Sequence, residues 1–318
     1  MNKNVQIIKD ITHEQWLEER KKGVGSSEAG TLMGVNHFDT PYSLWRKKMG
    51  LEPPQEETEA MAMGHIYEEA VAKRFASVTG AYIIESSAPD WIAVDKEHPW
   101  RRVSPDRLFY EKGAEHRVAN WNIVECKTTS QEVDPLNVPL YWQYQLQYQM
   151  GVLGVRQGAI AWTSTAFRLH SGFQYFAFDQ AVFDMIVAKV DTFWHDNILA
   201  NKPPEFTTVE DVNSHYNEGV KKMSVTADAT VAEACRMLKL LKAEKDILEK
   251  KMADKEMKIK AAMGDAEILL SPSGEKIATW NTCEGRMSFK SETFKKENEE
   301  LYNKYLVKGS PYRQLKIK

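Results

Sequence analysis

Apolar and polar residues alternate in two periods along this chain. Over residues 61–79 the apolar positions fall at helical spacing (Ile66, Ala70, Val71, Phe75), and Gly80 follows. That pattern predicts an amphipathic helix with a glycine stop. Residues 12–22 read as a helix with Thr12 at the N-cap and Gly23 beyond its end. Segments 28–33, 41–49, 140–153 and 179–200 read as further helices. Between them lie short apolar runs of strand character, at 81–86, 91–94, 101–103, 121–128, 158–164 and 173–178. Helices before and after a central group of strands predict an α/β or α+β core. A third pattern occupies residues 228–263, where Leu238, Leu241, Leu248, Met252, Ile259 and Met263 mark a seam close to a 3.5-residue repeat, interrupted by Lys245 and Lys255. It predicts a long amphipathic helix. Such a face fits packing on the rest of the chain as well as projection toward a partner protein or DNA.

Composition sharpens the divisions. Residues up to about 205 hold eight of the nine tryptophans, whereas 228–263 contain no Gly, Pro or aromatic residue. Junctions are expected at Lys202-Pro203-Pro204 and at Gly264. They divide the chain into a globular domain at 1–205, a linker and helical arm at 206–263, and a hairpin and helix segment at 264–318 that can pack back on the core. With 318 residues and 42% hydrophobic content, disorder, collagen and small disulfide scaffolds are excluded. The three cysteines are far apart and the N-terminal stretch lacks a signal-like apolar run, which predicts a cytoplasmic protein with no membrane segment. Three cysteines cannot supply the four thiolates of an iron–sulfur cluster, and the eight histidines lack zinc-ligand spacing. A net charge of −3 confines any nucleic-acid site to a local surface.

The sharpest local feature is Trp121-Asn122-Ile123-Val124-Glu125-Cys126-Lys127-Thr128. On a strand, Glu125 and Lys127 share one face while Val124 and Cys126 take the other. An acid and a lysine inside an apolar strand suit divalent-metal hydrolysis, the carboxylate holding Mg²⁺ and the lysine acting on water or phosphate. A cross-strand ion pair is the plainer reading, and Glu19/Lys21, Glu249/Lys251 and Glu256/Lys258 share the spacing in helix-like polar stretches. A second carboxylate, in Ser104-Pro105-Asp106, reaches Glu125 if a hairpin joins the two segments. Two carboxylates and a backbone carbonyl form a hard oxygen site for Mg²⁺ or Mn²⁺. The aromatic residues Trp91, Trp100, Tyr110, Trp142 and Tyr144 read as core rather than as a base-stacking platform.

Taken together, these residues resemble the PD-(D/E)XK nuclease superfamily, and the wider pattern is similar to its YqaJ-type phage recombination exonucleases, related to lambda exonuclease. The resemblance spans about residues 13–200. It rests on residues 20–29 as the opening motif, Pro41-Tyr42-Ser43-Leu44-Trp45 with Lys48-Met49-Gly50, Gly64-His65-Ile66-Tyr67-Glu68, His98-Pro99-Trp100 through Asp106, Glu125-Cys126-Lys127-Thr128, and Tyr141 with Gln145, Gln147 and Gln149. It implies a restriction-endonuclease-like core, a central mixed sheet flanked by helices. It makes Asp106, Glu125 and the Cys126 carbonyl the ligands of Mg²⁺, with Mn²⁺ as a substitute. Lys127 would activate water, Glu68 would support the metal from a helix, and Gln145 would touch the metal-site water or the substrate. Arg20 and Ser27 would grip a DNA 5′ phosphate, and Ser27 would open the helix at 28–33, whose N-terminus favours an anion. Three departures stand out, one of them a charge-rich insertion, Glu111 to Arg117, that separates Asp106 from Glu125. Arg107 follows Asp106 where relatives often have glycine, and Glu69, where they often have proline, competes with Glu68.

The implied activity is a metal-dependent 5′-to-3′ exonuclease on double-stranded DNA, leaving 3′ overhangs for a single-strand annealing protein. The protein would be phage or prophage encoded, work in the bacterial cytoplasm and assemble as a trimeric ring. A structure- or site-specific endonuclease on the same core and a non-catalytic DNA-end binding protein are the alternatives.

Overall fold

A computed structural model describes residues 4–52, 58–84, 91–166, 168–309 and 312–317. The chain forms two compact units, Met1–Val212 and Asn213–Lys318. In the first, β1 (Val5–Ile8) precedes α1 (His13–Lys21). Thr12 starts α1 through a reciprocal cap, its hydroxyl accepting from Gln15 N and the Gln15 side chain accepting from Thr12 N. A 3-10 turn at Ser26–Glu28 leads into the single turn of α2 (Ala29–Leu32). Next come α3 (Pro41–Lys48), with Thr40 as cap and proline at its first position, and α4 (Glu59–Thr79). Gly80 ends α4 in the left-handed conformation, φ 74°, which glycine adopts without a Cβ clash.

The strands follow: β2 (Tyr82–Ile84), β3 (Ile92–Asp95), β4 (Arg102–Val103), β5 (Arg107–Tyr110) and β6 (Asn122–Thr129). The last two residues expected in the 81–86 strand lie outside the described residues. Helix α5 (Leu140–Leu153) crosses over to β7 (Gln157–Ser164), and β8 (His170–Ala177) leads to α6 (Gln180–Thr192), which continues as a π-helix over Phe193–Leu199. The main sheet runs β2-β5-β6-β7-β8, with β6 and β7 parallel and every other pair antiparallel. It is the mixed sheet with flanking helices that the resemblance implies. A smaller antiparallel sheet holds β1, β3 and β4.

Alternation along β6 and β7 divides the core in two. Val124, Cys126, Ala159 and Ala161 face Val71, Ala72 and Phe75 of α4. Ile123, Ile160 and Trp162 face the other way, in the cluster that holds Leu146 and Met150 of α5 and Ile186 and Val190 of α6. On that side α5 meets α6 closely, since a Cβ on Gly151 would stand 2.1 Å from the Phe183 ring. Trp142 and Tyr110 are buried, and Trp91, Trp100 and Tyr144 pack against the core as expected.

The first unit continues beyond Lys202-Pro203-Pro204 because two later residues anchor to α3. The Phe206 ring meets Tyr42 edge-on at 5.0 Å, and the buried Asp211, on α7 (Val209–His215), accepts from Thr40 Oγ1 at 2.6 Å. In the second unit, Asp228 caps α8 (Ala229–Met263), one continuous helix of 35 residues. After Gly264, β9 (Ile268–Leu270) and β10 (Lys276–Thr279) form a hairpin, and α9 (Ser291–Glu297) and α10 (Glu299–Tyr305) follow. Leu241, Leu248, Met252 and Ile259 of the α8 seam are exposed, whereas Met263 is buried.

Candidate active site

Glu125 and Lys127 leave β6 on the α5 side of the sheet, as the period-two reading requires. Glu125 is 1% exposed, and its two oxygens serve different partners. Oε1 accepts from Lys127 Nζ at 2.7 Å and from Gln145 Nε2; Oε2 accepts from Gln149 Nε2 at 2.8 Å. Lys127 Nζ also donates to Gln145 Oε1 at 3.0 Å. Gln145 and Gln149 stand one helical turn apart on α5 and so share a face. Gln147 points elsewhere, donating to Ala177 O and accepting from Asp179 N at the end of β8 and the start of α6.

Asp106 immediately precedes β5, whose ladder with β6 begins at Arg107 opposite Val124. The hairpin that unites Asp106 with Glu125 is therefore β5–β6, not a continuation of β4. Beyond that ladder the Cys126 amide finds its acceptor in Asp106 Oδ2 at 2.7 Å. Burial pushes the Asp106 carboxyl well above the usual carboxylate range, and the Glu125 charge adds to it. Burial works to discharge Lys127, but Glu125 and Asp106 outweigh it and hold the ammonium above an ordinary lysine. Burial also pushes up the Cys126 thiol, which leaves an inert sulfur on the α4 side and only backbone atoms toward the site.

Asp106, Glu125, Lys127 and Gln145 line a cleft of about 280 Å³. Glu68 of α4 reaches it, paired with Arg107 Nη1, which also donates to the Asp106 carbonyl at 2.6 Å. Glu69 does not line it; its exposed carboxylate pairs with Lys73 one turn on. Arg20 and Ser27 stand at the same cleft. Arg20 Nη2 donates to Ser27 Oγ at 3.1 Å, and the guanidinium lies 4.7 Å over the Trp16 ring. Glu28 is 3.9 Å from Arg20 but is engaged by Lys48 at 2.8 Å and by the Gly25 amide at 2.8 Å. The expectation that Ser27 opens an anion-binding helix fails: α2 is a single turn with Glu28 at its N-cap, and Ser27 lies in the preceding 3-10 turn. Any phosphate there is left to side chains. His13, Trp16, His65 and Ser26 also line the cleft; His65 and Ser26 stand in the quoted motifs, but none of the four was given a role from the sequence. His65 precedes Glu68 by three residues on α4, a spacing that brings both to one side.

Among the described residues no group of three or more His, Cys, Asp or Glu side chains converges to hold a metal ion. The donors present are the buried carboxylate of Glu125 and the half-buried one of Asp106, beside a strand backbone. Their oxygen chemistry fits a hard divalent cation, which would also offset the Glu125 charge that faces Asp106.

Residues 15–156 match the YqaJ-like viral recombinase domain. All the candidate site residues fall inside this YqaJ-like stretch. The uncharacterized protein YqaJ of Bacillus subtilis (strain 168) is 28% identical over 272 residues, covering 81% of this chain and 80% of that protein. Among solved structures, an alkaline exonuclease (LHK-Exo) from Laribacter hongkongensis shares 17% identity at a TM-score of 0.45, over 59% of this chain and 93% of its own. A phage related exonuclease from Haemophilus somnus 129PT shares 13% at 0.41, over 56% and 96%.

Proposed function

We propose that this protein is a metal-dependent exonuclease that degrades one strand of double-stranded DNA from a 5′-phosphorylated end. The observation that carries the reading is the convergence of Asp106, Glu125 and Lys127 on one cleft that Arg20 and Ser27 also line. Asp106, Glu125 and the Cys126 carbonyl would hold Mg²⁺, or Mn²⁺ in its place, with Glu68 supporting them. The cation would lower the pKa of the attacking water and neutralise charge on the phosphate.

The chain's own residues supply the rest. Lys127, held protonated, is a cation in the cleft. It orients water and offsets charge growing on the scissile phosphate rather than accepting a proton. Gln145 fixes Lys127 and Glu125 in one geometry through its two amide ends. Arg20 offers forked donors to a terminal phosphate, with Ser27 beside it. The product is a 3′ overhang, the substrate of a single-strand annealing protein, and the resemblance extends the reading to a trimeric ring in the cytoplasm of a phage-infected or lysogenic bacterium.

One gel tests the central claim: end-labelled linear duplex with and without Mg²⁺, for the wild type and Glu125→Ala. Cation-dependent loss of the strand by wild type alone is expected. Full activity in Glu125→Ala overturns the assignment, and DNA binding without cleavage by wild type indicates an end-binding protein instead.

A further inference from the structure

Gln149 is the one fully buried polar side chain of α5 that touches both halves of the site. It is 0% exposed. One hydrogen of its Nε2 goes to Glu125 Oε2 at 2.8 Å and the other to Ser26 Oγ at 3.2 Å. Its Oε1 is buried without a hydrogen-bond partner. Turning the amide over would set that oxygen against the Glu125 carboxylate, which only accepts, so the carboxylate fixes its orientation. A buried carbonyl without a donor is unfavourable, and an apolar side chain of similar volume would avoid the cost. What the glutamine adds is the connection. Ser26 is the chain neighbour of Ser27 in the same three-residue turn, and it is itself buried against α5.

We infer that Gln149 is a positioning residue that links the terminal-phosphate pocket to Glu125, so that a 5′ phosphate at Arg20 and Ser27 and a divalent cation at Glu125 strengthen each other's binding. This rests on the reading of those two positions given above. Closing Ser27 on a phosphate shifts the Ser26 hydroxyl, and the amide passes that shift to Glu125 Oε2. Oε1, held by Lys127 and Gln145, keeps its place. The coupling is reciprocal by thermodynamic necessity: whatever the phosphate does for the cation, the cation does for the phosphate.

The test measures binding, not turnover. Fluorescence anisotropy gives the affinity of 5′-phosphorylated and 5′-hydroxyl duplexes with Ca²⁺ in place of Mg²⁺, and with the cation chelated. In wild type the preference for the phosphorylated end should rise about fivefold or more when Ca²⁺ is present. In Ser26→Ala, which leaves the Gln149–Glu125 bond intact, the preference should be the same in both conditions. Gln149→Met should behave likewise; if that variant does not fold, Ser26→Ala decides alone. A wild-type phosphate preference that ignores the cation, or a Ser26→Ala protein that keeps the cation dependence, overturns the linkage and leaves the proposed function standing. Equal affinity for both ends in every condition overturns the phosphate reading and the linkage together.

Discussion

At the scale of single residues, the acids and the lysine of the cleft should fail in different ways. Removing Glu125 takes away both an oxygen donor and the partner of Lys127, Gln145 and Gln149. Glu125→Ala and Asp106→Ala should each lose at least about 100-fold in cleavage rate while retaining duplex affinity, since phosphate contacts dominate binding. Single-turnover rates beside a filter-binding isotherm check this. Lys127→Ala should bind Mg²⁺ nearly normally in calorimetric titration yet turn over slowly; weakened metal binding with normal turnover at saturating Mg²⁺ would refute its role. The Glu125–Lys127 pair was legible because strand alternation leaves little freedom, and Gln145 came with the motif. Gln149 escaped because Gln145, Gln147 and Gln149 look alike in sequence. Only the helical turn, which brings 145 and 149 together and sends 147 to β8, separates them.

Among the elements, β1 and β5 were not anticipated. β1 is a short strand without full burial, and Arg107-Leu108-Phe109-Tyr110 follows a Ser-Pro-Asp turn and precedes a charged loop, so neither shows a clear alternation. The contact of α5 with α6 depends on the absence of a side chain at Gly151, which no periodicity reveals. Gly151→Val should destabilise the first unit by about 1–3 kcal/mol or more through overpacking, read from urea unfolding. The segment behind Lys202-Pro203-Pro204 is held by Asp211. Burial alone would raise its pKa, but hydrogen bonds from Thr40 and from the Thr207 and Thr208 amides outweigh burial and lower it. A carboxylate depressed in the folded state stabilises fully above its unfolded pKa of about 4 and loses that contribution as pH falls through the lower folded value. Asp211→Asn should therefore flatten the acid side of a stability-versus-pH curve. For α8, replacing residues 229–263 with a Gly/Ser bridge should spare cleavage of short duplexes if the helix acts apart from the cleft. An unfolded deletion protein would show that the first unit needs it.

For the whole molecule, substrate topology is the discriminating variable. An enzyme that starts at ends should degrade linear duplex and spare a covalently closed circle, whereas an endonuclease on the same core would nick both. Charge-assisted contacts are worth about 1.5–3 kcal/mol, so a 5′-phosphorylated duplex should be degraded roughly tenfold faster than a 5′-hydroxyl one, and Arg20→Ala should narrow the gap. Equal slowing of both substrates would move the pocket elsewhere. The α/β architecture and the long C-terminal helix were readable at this scale because they depend on periods repeated over many residues. The failed anion-binding helix shows the opposite case: the length of α2 is set by one turn of packing, below what periodicity resolves.

The hydrogen bond from the Cys126 amide to Asp106 turns one backbone proton into a reporter. A cation that draws on the Asp106 carboxylate weakens it as an acceptor, so the Cys126 amide resonance should move upfield as Mg²⁺ is added, without DNA and without turnover. Asp106→Asn keeps an oxygen for that amide while removing the charge, so its Cys126 resonance should lie upfield of the cation-free wild type from the start and stay there throughout the titration. Occupancy of the site thereby becomes measurable in a protein that is cutting nothing.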